Sequence, residues 1–143
     1  MKDWFAPLAL SARVSAGLLV VRFVAGVAFM FHGWGKIQAP FTWMGPDSAF
    51  PGVLQALAAL SEFGGGLAWA LGALTPLASL GLFFTMAVAA WFHIRAGDPF
   101  VPTGPGGSWE LAAVYLCVSI LLMCAGPGRF SADRYIFGEK SSS

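Results

Sequence analysis

The chain has 143 residues, 57% hydrophobic and only 10% charged, with a formal net charge of +1 and a mean hydropathy of +0.72. A soluble domain carries roughly 25% charged residues, so this sequence lacks the polar surface that water requires. Near-neutral charge without a basic patch excludes nucleic acid as a partner. The expected solvent is the lipid bilayer.

The opening "MKDWFAPLAL" lacks a basic leader and a small-residue cleavage site, so it does not read as a secretory signal. Four apolar segments follow: roughly Val14 to Ile37, Val53 to Leu74, Leu77 to Ile94 and Trp109 to Ala125. A helix of about 20 apolar residues crosses the hydrocarbon, and helices satisfy their own backbone there. The third and fourth are short, with Trp91 and Trp109 as interfacial anchors at their ends. The predicted fold is therefore an all-α membrane protein, a four-transmembrane-helix bundle. Residues 1–13 form a juxtamembrane segment, 14–126 the bundle and 127–143 a cytoplasmic tail.

The connections are unequal. "LTP" joins the second and third spans, with Thr75 as expected N-cap and Pro76 at the first helical position. The other links, "QAPFTWMGPDSAFPG" and "AGDPFVPTGPGGS", are dense in Pro and Gly and are not helical. Lys2, Arg13, Arg129, Arg134 and Lys140 lie on the side of the termini, against Lys36 and Arg95 beside the long loops. The excess of cations places both termini and the hairpin in the cytoplasm of a bacterial-type inner membrane. The outer loops are expected to fold over the polar residues at that end; the first carries Phe41, Trp43 and Phe50, too apolar for a solvated link.

Ionisable residues inside apolar spans are costly and mark either a pair or a site. At 1.5 Å per residue, His32 lies roughly 6 Å below Lys36, His93 and Glu110 sit at the outer rim, Glu62 is about 13 Å deep and Arg22 about 20 Å. Arg22, Gly26, Phe29, Gly33 and Lys36 share a stripe, with His32 rotated by about 80° from Arg22. Ala58, Glu62, Gly65, Gly66 and Trp69 share another. Small residues at such steps indicate helix contacts. Arg22 is expected to pair with Glu62, directly or through water. Glu110 in the first turn of its helix can simply complement the dipole, and His93 can be interfacial. Cys117 and Cys124 lie about 10 Å apart along one helix, too far to bridge, and read as packing residues. No zinc-type or haem-attachment spacing is present.

The run "RFVAGVAFMFHGWGK", then "FTWMG", "LSEFGGGLAWALGALT", a histidine closing the third span, "WE" opening the fourth and "GPGRFSAD" resembles the DoxX family of small four-helix membrane proteins. The similarity covers about Val14 to Asp133 and singles out Arg22, His32, Gly33, Lys36, Glu62, Gly65 and Gly126 to Arg129. Pro76 departs from the family, which often has a basic residue there. The family is named for subunits associated with thiosulfate:quinone and terminal quinol oxidoreductases, although many members have no assigned activity. The resemblance implies a quinone-linked redox subunit working with a partner oxidoreductase. His32, Glu62, His93 and Glu110 are the expected proton-handling residues; Arg22, Lys36 and Trp34 are the expected contacts of a quinone. Two other readings stand beside it: a non-catalytic anchor for a soluble enzyme and, last in rank, a haem held by His32 and His93.

Overall fold

The computed structural model describes residues 2–140, and all regular structure among them is helical. A short turn, α1 (Lys2–Phe5), precedes four long helices: α2 (Ala12–Gln38), α3 (Gly52–Leu71), α4 (Thr75–Ala96) and α5 (Glu110–Ala125). A last short helix, α6 (Ala132–Phe137), follows. Ser11 caps α2 by accepting from the Val14 amide at 3.3 Å. α2 and α4 are each long and apolar enough to cross a membrane, and α5 is a shorter apolar helix.

The helices pack in sequence, α2 on α3, α3 on α4 and α4 on α5, whereas α2 and α5 barely touch. The tightest seam is between α2 and α3. A Cβ placed on Gly26 would lie 2.5 Å from the carbonyl oxygen of Gly66, and one on Gly33 equally close to the Phe63 amide nitrogen. The glycine stripe of α2 therefore lets two backbones approach directly, as expected of such stripes. Phe29, Trp69, Leu82, Met86, Ala112 and Leu122 fill the centre, and Trp69 donates its indole N–H to Ser79 Oγ at 2.9 Å. The outside is as apolar as the inside: Val20, Phe31, Leu57, Leu60 and Phe84 are all exposed. A water-soluble monomer rarely shows so large an apolar surface.

The hairpin between α3 and α4 departs from the sequence-based expectation. Leu74, not Thr75, precedes the helix, in a left-handed conformation (φ 47°), and the Thr75 hydroxyl is buried without a partner. The cap comes from far along the chain. Asp133 accepts from the Leu74 and Thr75 amides at 2.6 and 2.8 Å, and its own N–H donates to Gly72 O at 2.8 Å. The segment after α5 is thus docked against the hairpin, with Asp133 fully buried. Gly72 needs to be glycine: its φ is 66°, and a Cβ would lie 2.6 Å from Arg22 Nη1 and from Ser131 Cβ.

Arg22 belongs to this same end. Its Nη1 donates to Trp69 O and Ala70 O at 2.9 and 3.0 Å, and Nη2 donates to Phe130 O. The expected Arg22–Glu62 pair does not form. Trp69 and Ala70 lie about two helical turns beyond Glu62, and the side chain of Arg22 reaches away from Glu62 toward the tail. The last-turn carbonyls of α3 lie at the negative end of a helix dipole, which a guanidinium complements; Trp69 O also accepts from the Gly72 amide at 3.1 Å.

A polar cavity at the loop end of the bundle

At the opposite end, where the long loops lie, the four helices diverge around a cavity of about 280 Å³. α2 contributes Phe29, His32 and Lys36 at steps of three and four residues, and α4 contributes Met86, Ala89 and His93 in the same way. Glu62 enters from α3. Leu111, Ala112 and Tyr115 of α5, with Ser108 just before it, complete the wall. Below, the Phe29 and Tyr115 rings meet at 4.6 Å and close the floor.

The charged groups here are held by one another. Lys36 Nζ donates to Glu62 Oε1 at 2.5 Å and sits 4.6 Å from the centre of the Trp43 ring. Glu62 is only 3% exposed, and its second oxygen, Oε2, has no partner. The partner of Glu62 is thus Lys36 and not Arg22: it lies on the same stripe of α2, about four turns further along, and engages one oxygen of the carboxylate. His93 Nδ1 lies 2.7 Å from Asp98 Oδ2 across the end of α4. Gly107 of the second loop packs against this contact, and a Cβ there would lie 2.9 Å from His93 Nδ1.

The sequence-predicted residues separate cleanly in space. His32, Lys36, Glu62 and His93 come together around the cavity. Glu110 heads α5 between two residues, Ser108 and Leu111, that line the cavity while it does not. Trp34 is exposed on another face of α2 and packs on Phe63 at 5.7 Å between ring centroids. Arg22 is at the far end. Asp98 and Tyr115 went unremarked in the sequence. Asp98 had a local signal, a carboxylate five residues after a histidine across a helix-ending glycine. Tyr115 is one of many aromatic residues on an apolar helix and had none.

The first long loop turns back on the bundle but does not close over the polar cluster, contrary to expectation. Trp43 Nε1 donates to Gln55 O at 2.9 Å, Gln55 Nε2 donates to Phe50 O at 2.9 Å, and Phe50 packs on Phe92 at 5.2 Å. It covers Lys36 but does not roof the cavity, and His32 stays exposed. α2 and α5, which both line the cavity, have little contact with each other.

The sequence pattern of DoxX matches residues 17–95. Over 130 residues, covering 84% of this chain and 92% of the relative, the sequence is 34% identical to "Inner membrane protein YqjF" of Escherichia coli (strain K12). The chain belongs to the DoxX family. No solved structure matches it significantly. DoxX membership, the apolar exterior and the two spanning-length helices make it a membrane protein. The matched DoxX region holds Arg22, His32, Lys36, Glu62 and His93 but ends before Asp98 and Tyr115.

Proposed function

We propose that this protein is a four-span subunit of the bacterial inner membrane, with both termini cytoplasmic, that binds the headgroup of a quinone and works with a partner oxidoreductase. The observation that carries the reading is the cavity: a space, apolar in most of its lining, whose wall brings His32, Lys36, Glu62 and His93 together. Its volume falls near the lower end of the roughly 300–1,000 Å³ typical of ligand sites, which suits one substituted ring better than a haem macrocycle. A hydrophobic ligand would enter sideways between α2 and α5, past the exposed His32. The ring is then held against Met86, Ala89 and Leu111, while His32 and His93 serve as proton-exchanging groups between the cavity and the outer loops. The chain carries no redox centre of its own sequence type, so electrons come from the partner or an outer substrate.

Photolabelling with an azidoquinone in nanodiscs tests this directly. Labels are expected within residues 29–36 and 108–115, and to be competed away by unlabelled quinone. Labelling spread evenly over lipid-facing residues such as Phe23 and Leu57 would reject the site and leave the anchoring role as the better account.

A further inference from the structure

The polarity of the cavity's fixed groups says which form of such a ring it takes. Glu62 lines the cavity and is almost wholly buried; Lys36 engages its Oε1, and Oε2 has no donor. A buried acceptor left unpaired is unusual in a native protein and calls for a partner. The ion pair makes the carboxylate an acceptor on both oxygens. His93 Nδ1 faces the Asp98 carboxylate at 2.7 Å, a group that only accepts, so Nδ1 carries a proton and is engaged there. Lys36, the permanently charged donor on the wall, is turned toward Glu62 Oε1 and the Trp43 face, whereas the Ser108 and Tyr115 hydroxyls can donate or accept and favour neither form.

We infer that the cavity recognises its ligand through ligand O–H groups, and so selects a hydroxylated aromatic ring of the phenol or hydroquinone class over the corresponding dione, with Glu62 Oε2 as the principal acceptor. The inference rests on the quinone-class reading above but adds a direction to it: the reduced, dihydroxy form is the one held. Lys36 acts here as a positioning residue, holding the carboxylate by Oε1 and leaving Oε2 free for the ligand.

The test is a set of binding isotherms on the full chain in nanodiscs, under anaerobic conditions, with durohydroquinone, duroquinone and the dimethyl ether of durohydroquinone. The fully methylated ring prevents covalent addition to the exposed Cys117 and Cys124. A hydrogen bond to a charged acceptor is worth on the order of tenfold in affinity. Durohydroquinone is therefore expected to bind about tenfold or more tightly than either the dione or the ether. In Glu62→Gln an amide replaces the carboxylate and can turn its NH2 to the cavity, so the preference should vanish or reverse toward the dione. The wild-type comparison stands even if that variant does not fold. Equal affinities, or tighter binding of duroquinone, would overturn the selectivity while leaving the quinone-class site intact. No binding of any of the three would overturn both.

Discussion

The two ends of the bundle use charge in opposite ways. At the hairpin end, Arg22 and Asp133 are committed to backbone: three carbonyls accept from the guanidinium, and two amides donate to the carboxylate. They satisfy the helix termini that meet there, the negative end of α3 and the positive end of α4. At the loop end, Lys36, Glu62 and His93 pair with other side chains and still present atoms to a cavity. An ionisable residue in an apolar span can thus serve architecture or chemistry. What separates the two cases is whether its polar atoms close on the backbone or stay open to a space.

That contrast can be broken at the hairpin end first. Arg22→Leu strands buried carbonyls and leaves Asp133 without its neighbouring cation, and should cost about 3–5 kcal/mol. The check is thermal or denaturant unfolding in detergent. Ligand binding by whatever fraction remains folded should be unchanged, because Arg22 is remote from the cavity. A double-mutant cycle sharpens the point with a smaller effect. Lys36→Met should cost about 1.5–3 kcal/mol by freeing the charged hydrogen bond to Glu62, and Lys36 and Glu62 should show strong coupling. Arg22 and Glu62 should instead be additive to within about 0.5 kcal/mol. Coupling between them would mean that the two ends communicate.

Asp133→Asn keeps the shape of the cap and loses its charge and one acceptor, for an expected cost of about 1–2 kcal/mol. Amide exchange at Leu74 and Thr75 should rise with it, a local readout that a general loss of stability would not single out. The smallest change in stability is expected for His32→Gln, at an exposed position, within about 0.5 kcal/mol. Yet this variant should lose quinone-coupled function in the intact system. Retained function at normal expression would place His32 with the architectural residues and bring the anchoring role forward.

Much of the scaffold was legible because it depends on composition and spacing. The apolar runs between Pro- and Gly-rich links mark the four long helices, and the Gly26–Gly33 stripe announced its close contact with α3. His32, Lys36, Glu62 and His93 could be gathered in the outer half of the bundle by counting about 1.5 Å per residue. The Arg22 partners could not be found this way, because every position has a carbonyl and a helix end does not show in the residue type that supplies it. Depth alone brought Arg22 and Glu62 within reach; the actual register, set by Gly26 against Gly66, carries Arg22 past. Thr75 had the residue type of an N-cap, but a carboxylate 58 residues later in the chain holds its amide instead. Non-local capping leaves no local pattern to read.

That distant cap bears on how the protein is made. The α3–α4 turn holds Leu74 in a left-handed conformation, yet the residue that clasps it, Asp133, leaves the ribosome 59 residues after Leu74. At about 5–20 residues per second, the turn waits several seconds between its own synthesis and the arrival of its clasp. During that interval the first three long helices are already available for insertion, but the joint between two of them is unlocked. Final assembly of the bundle is therefore expected to follow translation of the residues beyond α5. A chain arrested at Gly126 should reach the membrane with its helices inserted and remain sensitive to protease at the hairpin, closing only when the missing segment is supplied.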